Sequence, residues 1–287
     1  MDVLCVTGQN VEEAVGLVAT TTATTLRFMA SRIPYDIGPV LTALMNPSNI
    51  KSVLLYRNQL SPENLTQLAA IADRLQRIFI SGRIDTAGIN ILAPVLDHNS
   101  SLTTLCLVNS RISCAVAIRL AQSLQTNTVL TSLNLINNQI EGAGITNLAE
   151  ALQTNTTLTS LNVDLNYFTN ASCASWGQTL AVNSSLTTLS MQCVRMTDAG
   201  AGYIFPALQY NYTLNTLNIK GNLVGTTGYN HLIETLTYNP TLTKIDIKCP
   251  LYDTRLISDL ADRNHHNFHQ QDASLLYRLR SYLDWVN

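Results

Sequence analysis

The sequence predicts an α/β solenoid: a curved stack of strand–helix units, with a parallel sheet on its concave face and helices on its convex face. Three observations predict it. One register position recurs, since Leu102, Leu130, Leu158, Leu186, Leu214 and Leu242 stand at 28-residue intervals. Leu75, Ile50 and Ala23 continue the series backwards at intervals of 27, 25 and 27. Within a unit, the apolar period switches from two to about 3.6. In the stretch 127–154, Leu130, Leu133 and Leu135 are apolar with Thr131, Ser132 and Asn134 between them. A turn through Asn138 and Ile140 and a glycine-marked break at Gly142 and Gly144 follow. The unit closes on a helical run of Ile145, Leu148, Ala149, Ala151 and Leu152. A unit this small cannot cover its own apolar edge, so each copy requires a neighbour.

LxxLxLxxN at this period, with a full helix in every unit, resembles the ribonuclease-inhibitor type of leucine-rich repeat. The resemblance spans roughly residues 23–249. Cytosolic innate-immune receptors and several effectors of intracellular bacteria carry similar arrays. It implies a horseshoe solenoid and a binding role, and it leaves the partner open. Curvature follows separately from geometry, because strands stack about 4.8 Å apart while packed helices need about 8–10 Å. With layers ~10 Å apart, the mismatch bends the stack by roughly 20–30° per repeat.

In chain order, residues 1–22 read as an N-terminal cap half-repeat. Leu4 and Val6 suit a short edge strand, and Thr7-Gly8-Gln9 a turn. Asn10 suits the N-cap of a helix from Val11, with Glu12 and Glu13 favourably placed in its first turn. Residues 23–249 form an array of about nine repeats. The first three are irregular, with Leu26 and Phe28, Val53 and Leu55, and Ile78 and Ile80 as inward strand residues. Pro62 suits a helix start, and Pro94 is expected to bend the helix of the third repeat. At the last position of LxxLxLxxN, Asn58, Asn138, Asn166 and Asn222 form a ladder of amides able to bond neighbouring turns. Ser31, Arg83, Ser110 and Val194 occupy that position elsewhere. Val194 offers no polar side chain, so its turn is expected to be a local weak point. In the last unit Pro250 replaces the ladder residue, while Lys244, Asp246 and Lys248 charge an exposed edge strand and discourage edge pairing. Residues 250–287 read as a helical C-terminal cap, one helix carrying Leu256, Ile257 and Leu260, the other Leu275, Leu279, Tyr282, Leu283 and Val286.

Composition narrows the setting. Charged residues make up 13%, about half the usual share near 25%. The net charge of −2 supplies no field to recruit nucleic acid or an anionic membrane. Six cysteines are scattered over separate repeats without a CxxC pair. Of the NxS/T sites, Asn99, Asn155, Asn183 and Asn211 begin equivalent repeats and read as turn residues; Asn64 and Asn170 complete the set. The start lacks a cationic segment, and no apolar run reaches ~18 residues. A cytoplasmic setting, the cell's own or a host's, is therefore expected, without membrane contact and as a monomer.

Chemistry is sparse. His265, His266 and His269 form the one histidine cluster, and no cysteine stands near to complete a zinc set. No HExxH, GxSxG, Walker A or GxGxxG motif stands in a supporting context. Neither metal nor cofactor is expected, and the chain reads as a non-enzyme. What remains is the concave wall. Its middle column reads Arg27, Leu54, Phe79, Cys106, Asn134, Asn162, Ser190, Asn218, Asp246; two residues on come Met29, Tyr56, Ser81, Val108, Ile136, Asp164, Gln192, Lys220, Lys248. Apolar and aromatic groups collect in the first third. The candidate partner-binding residues are Arg27, Met29, Leu54, Tyr56, Arg57, Arg77, Phe79 and Val108. The expected function is a module binding one protein partner, as a cytosolic adaptor or a secreted bacterial-type effector. A ribonuclease-inhibitor-like enzyme inhibitor, a ligand-sensing fragment and a catalytic effector are the alternatives.

Overall fold

In a computed structural model, residues 3–7, 10–29, 36–57, 60–82, 84, 86–247 and 261 are described. Strands and helices alternate throughout. The strands are β1 (Val3–Thr7), β2 (Thr25–Met29), β3 (Ser52–Tyr56), β4 (Arg77–Ser81), β5 (Thr104–Val108), β6 (Ser132–Asn134), β7 (Ser160–Asn162), β8 (Thr188–Ser190), β9 (Thr216–Asn218) and β10 (Lys244–Asp246). Between them run α1 (Val11–Val18), α2 (Gly38–Ala43), α3 (Pro62–Ile71), α4 (Thr86–His98), α5 (Cys114–Thr126), α6 (Gly142–Leu152), α7 (Asn170–Val182), α8 (Asp198–Leu208) and α9 (Thr226–Tyr238). Each strand pairs in parallel with the next, giving one open sheet in the order β1 to β10. This is an α/β leucine-rich repeat solenoid, a horseshoe. The edge strand expected at Leu4 and Val6 is β1, and it pairs in register with β2.

The core lies between sheet and helices. Every register residue from Ala23 to Leu242 is buried, as are the inward residues Leu26, Phe28, Val53, Leu55, Ile78 and Ile80. Ile145, Leu148, Ala149, Ala151 and Leu152 close the same core from α6. The glycines ahead of them correct the expectation of a break. Gly142 and Gly144 form the first turn of α6, because no side chain fits there. A Cβ on Gly144 would lie 2.7 Å from Ile140 Cγ2 and 3.0 Å from Ala117 Cβ. The helix of the third repeat, α4, runs on through Pro94, and Pro62 opens α3 behind a Ser61–Asn64 capping box. Asn10 stands at the N-cap of α1 without capping it. Its Oδ1 instead accepts from the Thr7 amide at 2.7 Å, tying helix to strand.

Two amide ladders hold the turns. Asn138 Oδ1 accepts from the Ser110 and Ile112 amides, while its Nδ2 donates to the Leu107 and Leu135 carbonyls. Asn166 and Asn222 repeat the pattern. Val194 is not the weak point it was expected to be. Its amide donates to Asn222 Oδ1 at 3.0 Å, and its carbonyl accepts from the Phe168 amide at 3.1 Å. The backbone oxygen thus supplies what an asparagine side chain supplies elsewhere; Ser110 does the same for the Ile84 amide. The second ladder sits at the other end of the repeat. Asn127, Asn155, Asn183, Asn211 and Asn239 are buried, and each Nδ2 donates to the carbonyl of a leucine one repeat earlier. Each Oδ1 takes the amides of the next residues but one and two.

Strand length changes along the array, five residues in β2–β5 and three in β6–β10. In β6, β7 and β9 the middle column explains it. Asn134, Asn162 and Asn218 each accept the amide two residues on, which removes that donor from the sheet. Leu54, Phe79 and Cys106 cannot do so, and their strands continue. Just before the first ladder, Arg57, Asn109, Asn137, Leu165, Cys193 and Gly221 all adopt positive φ. Asparagine and glycine do so readily, whereas Leu165 and Cys193 cost about 1 kcal/mol each.

Ser31, Asn58, Arg83, Lys248 and Pro250, part of the Thr7-Gly8-Gln9 turn, and the cap expected over 250–287, Ala261 apart, lie outside the described residues.

Candidate functional site

Parallel pairing sets the wall columns as the sequence arranges them. Arg27, Leu54, Phe79 and Cys106 are register partners on β2–β5, and so are Met29, Tyr56, Ser81 and Val108. Alternate residues share a face, so both columns stand on the concave wall. The Tyr56 and Phe79 rings meet at 4.6 Å between centroids, tilted by 34°. The Arg27 guanidinium carbon lies 5.9 Å from the Tyr56 centroid. Arg27, Tyr56 and Phe79 therefore form one cation–aromatic–aromatic row across three strands. All three are half-buried, as are Leu54 and Val108, while Met29 is 53% exposed.

Arg77 opens β4 on the same face as Phe79 and is exposed. Its charge reaches Cys106, whose thiol is pushed up by burial and drawn partly back by Arg77. Arg57 is the one candidate that lies outside the strands. It follows β3 in a positive-φ turn and belongs to neither column.

Further along, part of the wall is bonded within itself. Ser190 Oγ donates to Asp164 Oδ1 at 2.6 Å, and the Gln192 amide donates to the same oxygen at 2.6 Å. Asn218 Nδ2 donates to Gln192 Oε1 at 3.2 Å. In the first third, by contrast, Arg27 Nε is buried with no acceptor.

Two features escaped the strand columns. On the strand-to-helix edge, the Arg195 guanidinium stacks 4.7 Å from the Tyr167 centroid. The pair borders a groove of about 810 Å³, also lined by Cys114, Glu141 and Thr169, with Leu165 and Leu223 exposed on that edge. On the helix-to-strand edge, Val182, Tyr210 and Tyr238 stand exposed at 28-residue spacing, with Tyr212 beside them. Both lie at the edges of the repeat, in turns and at helix ends, and reading those columns as the strand columns are read would reveal them.

Among the described residues, no three His, Cys, Asp or Glu side chains gather at metal-binding distance; His265, His266 and His269 lie outside them. No described helix is long and apolar enough to cross a membrane.

A family model described as "Leucine Rich repeat" matches residues 126–149. Among solved structures, the chain is similar to "Leiomodin-1 Actin-Binding Site 2 (ABS2)", at 23% identity and a TM-score of 0.43, over 67% of this chain and 94% of that one. No curated protein matches it. The recurring strand–turn–helix unit and the matched repeat define the class of the fold, an α/β leucine-rich repeat solenoid.

Proposed function

We propose that the chain is a protein-interaction module of the ribonuclease-inhibitor type, acting as a cytosolic adaptor or effector. Its partner docks on the N-terminal third of the concave wall, centred on Tyr56 and Phe79. The observation that carries this reading is the Arg27–Tyr56–Phe79 row, half-exposed on the concave wall. Aromatic and arginine side chains dominate interface energetics, because they offer large area with few rotors or a fixed donor fork. Leu54, Met29 and Val108 extend the apolar patch around the row, and Arg57 and Arg77 flank it.

Affinity capture with mass spectrometry identifies the partner. Tyr56→Ala or Phe79→Ala should then weaken its binding about thirtyfold, or about 2 kcal/mol. Folding stability should fall by about 1 kcal/mol, the worth of the ring contact. The competing location is the polar C-terminal stretch around Lys220 and Lys244. Full binding by both aromatic variants, with loss in Lys220→Glu, would move the site there.

A further inference from the structure

We infer that the partner's docking segment is acidic, with carboxylates meeting Arg27 and Arg77 and an apolar side chain seated beside them on Tyr56 and Phe79. This rests on the proposed site and names the chemistry that fills it.

Arg27 supports it first. A buried donor without an acceptor is uncommon and costly, and Arg27 Nε is such an atom beneath the concave surface. The guanidinium is held from one side by the Tyr56 ring, which leaves its donors for a planar acceptor such as a carboxylate. Charge is the second support. Among the described residues the one ion pair is Arg119 with Asp97, so Arg27 and Arg77 have no carboxylate partner. Strands β1–β6 carry no acidic residue at all. The wall's acids stand far along it, Asp164 already bonded to Ser190 and Gln192, and Asp246 on β10.

Spacing is the third. Arg27 on β2 and Arg77 on β4 are two strands and two residues apart in register. That separates them by roughly 12 Å, about four residues of extended chain, with Leu54 between them and the ring pair along one side. A nucleic acid fits less well, because β5–β9 carry no Lys or Arg to continue a phosphate track.

The test pans the full-length chain against a displayed library of random dodecapeptides at low salt. Selected peptides should carry Asp or Glu together with Leu, Phe, Tyr or Trp. Their binding should drop about tenfold in Arg27→Gln, in Arg77→Gln and when the peptide's Glu becomes Gln, and it should weaken with salt. Thermal melts confirm that the variants fold. Peptides lost in Tyr56→Ala but indifferent to both arginine variants overturn the acidic partner and leave the site standing. Peptides indifferent to all these variants overturn the site as well. A library that yields no binder, or Arg27-dependent binding of a single-stranded oligonucleotide instead, also overturns the inference.

Discussion

Asn155 and Asn170 both sit in Asn-x-Thr/Ser triplets, yet the two residues do unrelated work. Asn155 is buried and its side chain makes four bonds to the backbone: Nδ2 to the Leu124 and Asn127 carbonyls, Oδ1 from the Thr157 and Leu158 amides. Asn170 is exposed at the first position of α7. Leaving buried amides and carbonyls unpaired costs about 1–3 kcal/mol each, part of which water or relaxation recovers. Asn155→Ala should therefore lose about 3 kcal/mol in chemical denaturation, and Asn170→Ala about 0.5 kcal/mol or less. Equal losses would mean that the ladder does not hold the repeat. The same burial leaves Asn155 with no free amide while folded. Cys173 illustrates a second residue-scale consequence of burial. Its thiol is pushed up to about 11 by desolvation, so it behaves as a small core side chain within α7 rather than as a nucleophile.

At the scale of the element, helix propensity and helix packing pull in opposite directions, and magnitudes decide. Gly16 lies inside α1 with nothing within 4 Å of an added Cβ. Gly16→Ala should stabilise the protein by about 0.5–1 kcal/mol, the propensity difference alone. Gly144 carries the same propensity penalty, but its Cβ would strike Ile140 at 2.7 Å and crowd the Cys114 backbone at 3.2 Å. Overpacking costs about 1–3 kcal/mol, so Gly144→Ala should destabilise on balance, by about 1 kcal/mol. Thermal melts of the two variants should move in opposite directions. Shifts of the same sign would refute the assignment of Gly144 to close packing of α6 on α5. Strand length belongs to this scale too, since in β6, β7 and β9 one asparagine side chain takes the amide that would lengthen the strand.

For the whole molecule, the strand-to-helix spacing mismatch and the open ten-stranded sheet both require a curved, extended particle. A globular chain of 287 residues would have a radius of gyration of about 19 Å. Small-angle scattering should give a clearly larger value and a hollow, asymmetric distance distribution; a value at or below about 19 Å would contradict the solenoid. Helices pack on their sequence neighbours along the array, so stability accumulates repeat by repeat. That growth by addition is also why three irregular repeats can carry a distinct surface. Changes of spacing and of exposed residues in β2–β4 do not disturb the regular repeats beyond them.

The 28-residue register by itself determined the fold class, the buried positions and the composition of each wall column. These follow from rules that act locally and repeat: a strand alternates, a helix turns every 3.6 residues, and parallel neighbours keep register. Leu105, Leu133, Leu161, Leu189 and Leu217 could be placed in one line before any coordinate was known. Tertiary structure alone decided how side chains from different repeats meet. The sequence sets Tyr56 beside Phe79 as neighbours, but only packing brings the rings to 4.6 Å and turns Arg27 over them. Val194 looks like a gap in the amide ladder, and only the folded backbone shows its own carbonyl filling the role. Gly144 looks like a helix breaker until α5 stands against it. In each case the deciding quantity is a distance between repeats, and a one-dimensional pattern carries period without carrying that distance.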